Sequence, residues 1–162
     1  MTDLSAIVAR TLGLFRKRVT VQCAALCYRI GDDGAPVVLL ITSRDTGRWV
    51  IPKGNIDAGE KGCKAAEREA LEEAGAKGKA AKKALGFYSY VKDGRRQHRV
   101  EVFPLRVRTM IDEFPEQGQR EQVWLSPEEA ALRVAEPELK NVIRLFGLSF
   151  QKALYRRGNS AD

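Results

Sequence analysis

Between Gly54 and Ala76 the chain carries a helix whose charges oppose its own stability, so local stability does not account for the pattern. Glu72 and Glu73 flank Glu69 one turn further on, at 3.6 residues per turn, so these carboxylates share one stripe. Lys61 and Lys64 stand near the helix start and Glu72 and Glu73 near its end, the reverse of what the helix dipole favours. Each misplacement costs about a few tenths of a kcal/mol, and all act in the same direction. A solvated acidic face is the ordinary explanation for an isolated Glu-Glu pair. Here a bound divalent cation accounts for more, because hard ions such as Mg²⁺ are held by carboxylate oxygens and keep positions open for water and phosphates. On the opposite side Ala66, Ala70 and Ala74 form a small-residue stripe that can pack closely on a sheet. The acids are thereby turned outward, towards a cleft.

The flanking sequence supplies that sheet. Apolar residues alternate from Val19 to Ile30, which predicts a strand, and the turn Gly31-Asp32-Asp33-Gly34 leads into a second strand over Val37–Thr42. These two form a hairpin. Trp49–Pro52 is a short extended piece that delivers the chain to Lys53-Gly54. Asp57 and Glu60 have capping-box spacing, the helix is expected from about Glu60 to Ala74, and Gly75 suits a left-handed cap. Lys77–Lys83 reads as a lysine-rich connection. Strands follow over Leu85–Val91 and Gln97–Arg108, joined by a turn at Lys92-Asp93-Gly94, with Pro104 suggesting that the second lies at an edge or carries a bulge. After an acidic loop from Met110 to Arg120 come a short strand, Glu121–Leu125, and a helix start with Ser126 as cap and Pro127 in its first turn. A final helix is expected over Pro137–Tyr155. Interleaved strands and helices predict an α/β fold, a mixed β-sheet with helices on both faces.

The chain has 162 residues, a length suited to one domain. We read residues 1–18 as an N-terminal lead ending in Arg16-Lys17-Arg18, residues 19–157 as that domain, and 158–162 as a tail. Lys and Arg number 28 against 21 Asp and Glu, a net +7 that favours polyanionic partners. Cys23, Cys27 and Cys63 show neither a CxxC pair nor a Cys/His ligand cluster, which argues against a disulfide framework or a zinc site. No stretch has the pattern of a signal peptide or a membrane span, so a cytoplasmic protein without a membrane partner is expected.

Gly54, five residues, Glu60, seven residues, then Arg68-Glu69-x-x-Glu72-Glu73-x-Gly75 resembles the Nudix box of the Nudix hydrolases. All seven charged and glycine positions of the 23-residue motif are filled, and only the aliphatic slots depart, holding Ala70 and Ala76. The resemblance implies a Nudix-type α/β/α sandwich and hydrolysis of a diphosphate linkage, with Mg²⁺ or Mn²⁺ as cofactor. It implies that Glu69, Glu72 and Glu73 ligate metal or position the attacking water, with Glu69 or Glu72 as the base. Arg68 would orient the carboxylates, Glu60 would support the site, and the Gly54 carbonyl would join the metal set. Glu121 is a further metal candidate outside the box. Glu116 is weighed beside it, with an ordinary loop acid the favoured reading.

Segments around Tyr28-Arg29, Thr42-Ser43-Arg44 and Arg48–Gly54 are similar, more loosely, to the diphosphoinositol polyphosphate and diadenosine polyphosphate hydrolase subgroup. Arg29, Arg44, Arg48 and Lys53 lie at strand ends or in loops leading to the box, where cations would meet a run of phosphates. His98, the single histidine, is a candidate contact to substrate or an exposed turn residue. The proline that ADP-ribose hydrolases of the family carry beyond the box is absent, since the region reads Tyr90-Val91-Lys92-Asp93. The expected partner is a phosphorylated small molecule, a diphosphoinositol polyphosphate or a dinucleoside polyphosphate. Removal of pyrophosphate from RNA 5′ ends is the less favoured enzymatic alternative, as no aromatic-basic platform for single strands is visible. A non-catalytic nucleotide-sensing module is the alternative of another class, disfavoured because all the box acids are present.

Overall fold

The computed structural model describes residues 19–158, so the Arg16-Lys17-Arg18 cluster, the rest of the lead and the extreme tail lie outside the described residues. The element order is β1 (Val19–Ile30), β2 (Pro36–Thr42), β3 (Trp49–Val50), β4 (Lys53–Asn55), α1 (Gly62–Ala74), β5 (Ala76–Ala80), β6 (Gly86–Lys92), β7 (Arg96–Met110), β8 (Gln122–Leu125), α2 (Pro127–Arg133) and α3 (Pro137–Gly158). The strands make one mixed sheet in the order β3-β2-β1-β7-β5, with β8 beside β2, β4 beside β1 and β6 beside β7. β1 and β7 run parallel from Val19↔Gln97 to Tyr28↔Arg106, and the other pairs among the described residues are antiparallel.

β1 is the spine because its middle is buried on both faces. Cys23, Ala25 and Cys27 face one core with Ala65, Ala66, Ala70 and Ala74 of α1, while Ala24 and Leu26 face the other with Leu139, Ile143 and Phe146 of α3. Alternate residues of a strand point to opposite faces, so a continuous apolar run must be covered twice. The result is the helix–sheet–helix layering expected for the α/β fold. Ser126 closes the capping box on α2, accepting from Glu129 N–H while its own N–H donates to the Glu129 carboxylate. No helix among the described residues is long and apolar enough to cross a membrane.

Three local expectations are corrected. α1 starts at Gly62 with Lys61 as its uncapped N-cap residue. The Asp57/Glu60 spacing makes only half a box, in which Asp57 N–H donates to Glu60 at 3.0 Å, because Glu60 is turned towards Arg68. The lysine-rich connection is largely β5, with Ala76 and Ala80 buried and Lys77 and Lys79 exposed. Small inward residues hid that alternation. Pro104 lies in an interior strand, since β7 has β1 on one side and β5 and β6 on the other. It falls where β5 gives way to β6: its carbonyl accepts from Ala81 and the next bond is from Leu85 to Val102, so no ladder donor is needed at its nitrogen.

Candidate active site

β4 pairs with β1 through Gln22↔Asn55, Cys23↔Gly54 and Ala24↔Lys53, which fixes Gly54 at one end of the sheet beneath α1. The Glu69 carboxylate lies against Gly54 where a Cβ would otherwise be. Gly75 ends α1 at φ 67°, and its N–H donates back to Ala70 and Leu71. Gly54→Ala is expected to displace Glu69, lowering turnover roughly a hundredfold and stability by about 1–3 kcal/mol, read by phosphate release and urea unfolding.

Arg68 holds the acids together. Its Nε and Nη2 donate to the two Glu60 oxygens at 3.2 and 3.0 Å, Nη2 also donates to Asn55 O at 2.8 Å, and Nη1 donates to Glu69 at 2.6 Å and reaches Glu72 at 3.5 Å. These hydrogen bonds from Arg68 hold the Glu60 carboxyl below the usual carboxylate range. Glu69 and Glu73 are 8% and 7% exposed and line the cleft, whereas the Glu72 side chain is 40% exposed and is not part of that lining.

A second arginine, which the sequence did not single out, grips Glu73 from the other side. Arg120 Nη2 donates to Glu73, Nε donates to Glu116 at 2.8 Å and Nη1 to Thr42 O at 3.0 Å, with only 6% of the side chain exposed. The other Glu73 oxygen accepts Lys53 N–H at 3.0 Å. The loop between β7 and β8 is tied to α1 by Glu116 N–H to Glu72 O, and the start of β8 by the Gln122 amide to Ala74 O. A single cation closing an acid-rich loop was the available signal for Arg120.

Of the expected substrate contacts, the cleft brings together Arg44 and Lys53 with Gly54, Glu69 and Glu73. Arg44 donates to Gln119 at 3.1 Å and meets Glu116 at 3.3 Å. Arg48 lies over a neighbouring cavity that shares Lys53 with the cleft. Arg29 is not among them: it stands five residues beyond Ala24 on β1, roughly 16 Å along the strand, with its guanidinium 4.3 Å from the Trp124 ring centroid. His98 is neither an exposed turn residue nor part of the cleft lining. It is buried in β7 and stacks on Tyr90 at 4.8 Å, with neither ring nitrogen hydrogen-bonded. Glu121 is exposed outside the cleft, its backbone paired with Thr42, because consecutive residues of an extended chain face opposite ways and Arg120 takes the inward position. Glu116 takes the cleft position instead.

Whether these residues suit a divalent cation follows from donors and burial. Among the described residues no three His, Cys, Asp or Glu side chains converge on a closed metal cage, since Arg68 and Arg120 occupy carboxylate oxygens. An ion that keeps waters and substrate phosphates needs only one or two carboxylates. The donors are hard oxygens, and burial raises the Glu69 carboxyl, with Glu72 and Glu116 adding to the rise. Burial pushes Glu73 up to about 7 against the pull of Lys53 and Arg120. The set of hard oxygen donors fits such an ion.

A pH dependence follows. A carboxyl raised from 4.5 to about 7 on folding binds more protons in the native state between those values, so its contribution to stability is full below the lower value and lost as pH rises through the upper one. Without divalent ions, urea unfolding should show a fall on the order of 3 kcal/mol from this group between about pH 5 and pH 8. Glu73→Gln should remove it.

The model of the NUDIX domain family matches residues 20–146. The chain belongs to the Nudix family. Over 118 residues this Nudix protein is 35% identical to diphosphoinositol polyphosphate phosphohydrolase 3-alpha of Mus musculus, with 72% of this chain and 67% of that protein covered. It is 34% identical to the 3-beta protein of Homo sapiens over the same shares. Its fold is that of the Ap4A hydrolase of C. elegans in a binary complex, with TM-score 0.70 and 22% identity, covering 82% of this chain and 98% of the other. It also superposes on the MutT protein of Methanosarcina mazei Go1, with TM-score 0.62 and 19% identity over 86% and 97% of the two chains. As a Nudix protein it is a pyrophosphohydrolase, and hydrolases of this family generally use divalent metal ions.

Proposed function

We propose that the protein hydrolyses a diphosphate linkage in a highly phosphorylated small molecule, a diphosphoinositol polyphosphate or a dinucleoside polyphosphate, with Mg²⁺ or Mn²⁺ on the acidic face of α1. One observation carries this: the buried pair Glu69 and Glu73 opens onto the same cleft as the cations Arg44 and Lys53. Glu69, Glu72 and Glu73, with the Gly54 carbonyl, would hold the ion. The ion would neutralise the pyrophosphate and lower the pKa of bound water. Arg68, anchored by Glu60, fixes the Glu69 carboxylate, and Arg120 fixes Glu73. Glu69 or Glu72 takes the proton from the attacking water, the new P–O bond forms, and the bridging P–O bond breaks with its electrons on the departing phosphate oxygen. Arg44 and Lys53 position the phosphate chain. The three unpaired cysteines suit a reducing compartment, and we place the protein in the cytoplasm.

The test is a hydrolysis panel with Mg²⁺ and with Mn²⁺. It covers diadenosine polyphosphates, diphosphoinositol polyphosphates, ADP-ribose, nucleoside triphosphates and 5′-triphosphorylated RNA. Turnover should concentrate in the first two classes. Tight binding with no turnover of any member would favour the sensor, and preferred cleavage of RNA or ADP-ribose would replace the substrate assignment.

A further inference from the structure

Beyond Lys53 the catalytic cleft adjoins a smaller cavity of 160 Å³, and the two share Ser43, Asp45, Lys53, Tyr90 and Lys92. Tyr88 and Glu136 line this second cavity. Tyr88 is 1% exposed and its hydroxyl has no hydrogen-bond partner; the Glu136 side chain is 12% exposed and its Oε2 has none either. Buried polar groups are nearly always paired, because one left without a partner gives up its hydration for nothing in return. Both residues line one cavity beside the catalytic cleft, where a ligand group would supply the missing partners. Arg48 forms only a long ion pair with the other Glu136 oxygen, at 3.9 Å, and leaves Oε2 without a partner.

The chemistry of the missing partner can be read from what surrounds it. An ionised carboxylate only accepts, so the atom opposite Glu136 must donate, and the Tyr88 hydroxyl can do either. Val50, Val91 and the Tyr88 ring supply apolar wall. The lining cations Arg48, Lys53 and Lys92 are matched by the acids Asp45, Asp93 and Glu136, and Lys92 is already paired to Asp45 at 3.1 Å. That leaves no surplus positive charge for further phosphates. A ring bearing several phosphates would set them against the Glu136 carboxylate, whereas an uncharged group with N–H or O–H donors would satisfy its open oxygen.

Building on the hydrolase function proposed above, we infer that Glu136 and Tyr88 are specificity-determining residues: they admit the hydrogen-bond-donating nucleoside end of a substrate whose polyphosphate lies in the cleft, and reject a phosphate-bearing inositol ring. They touch the non-reacting end of the substrate and set which polyphosphate is cut.

The test compares kcat/KM for diadenosine tetraphosphate and for a diphosphoinositol pentakisphosphate in the wild type, Glu136→Gln, Glu136→Lys and Tyr88→Phe. Equilibrium binding of ADP and of inositol hexakisphosphate is measured on the same proteins. The wild type should favour the dinucleotide at least about tenfold, Glu136→Lys should reverse the preference, and Glu136→Gln and Tyr88→Phe should each raise KM for the dinucleotide about three- to tenfold with kcat little changed. A wild-type preference for the inositol substrate, or an unaltered ratio in Glu136→Lys, would overturn the inference. If no protein turns over either substrate, the hydrolase function falls, and the binding arm decides alone: ADP preferred by the wild type and inositol hexakisphosphate by Glu136→Lys upholds the specificity role, and equal preferences refute it.

Discussion

Glu73→Gln is expected to cut phosphate release by about a thousandfold at saturating Mg²⁺, with kcat rather than KM carrying the loss. Glutamine keeps the size of the side chain and its carbonyl can still accept the Lys53 N–H, so β4 should stay in register with α1. What disappears is one negative charge in a place where the chain has assembled several. Glu73 is buried beside Lys53 and Arg120, and its carboxylate is one of the hard oxygens proposed to hold the ion that offsets the pyrophosphate charge. Far-ultraviolet dichroism and the urea midpoint show whether the variant is folded. A rate within tenfold of wild type in a folded variant would remove Glu73 from the site while leaving the enzyme class standing.

Arg120→Ala is expected to have the largest effect on stability, about 3 kcal/mol in urea unfolding at neutral pH. The guanidinium joins the buried Glu73 on α1 to the half-buried Glu116 of its own β7–β8 loop and to the Thr42 carbonyl at the end of β2, so its removal leaves acceptors on separate elements without their donor. Glu73 and Glu116 would also face each other without the intervening cation. Lowering the pH should recover part of the loss as these carboxyls take up protons, and added Mg²⁺ should recover part at neutral pH. A change below about 0.5 kcal/mol would show that the network contributes no more than an exposed ion pair.

How much of this was legible in the sequence depends on how local each feature is. The acidic stripe of α1, its alanine back, the left-handed Gly75 and the Ser126 cap are each written within a few residues, and each forms as the spacing predicts. The β6–β7 hairpin is equally local, with Asp93 and Gly94 at φ 54° and 65° in its turn. β5 was hidden because its inward residues are Ala76, Gly78 and Ala80, which carry almost no hydrophobic signal, between lysines that do. The interior place of β7 was hidden because Pro104 argues for an edge unless the hand-over from β5 to β6 is known. Arg120 gains its partners from α1 and β2, far away in the chain, and no spacing rule within its loop announces them. Arg29 shows the converse error. Being near the end of a strand does not say which end of the sheet the strand reaches, and only the pairing of β1 with β4 settles that the cleft lies at the other.

The central claim is that carboxylates of α1 carry the reaction through a divalent ion in the cleft they share with Arg44 and Lys53. Its most direct measurement is phosphate release from diadenosine tetraphosphate and from a diphosphoinositol pentakisphosphate by protein stripped with EDTA, as Mg²⁺ or Mn²⁺ is titrated back, in the wild type beside Glu73→Gln. Release should be absent in the stripped protein, rise to saturation with the ion in the wild type, and stay near background in the variant. Full activity in EDTA, or an identical metal response in the two proteins, would contradict it.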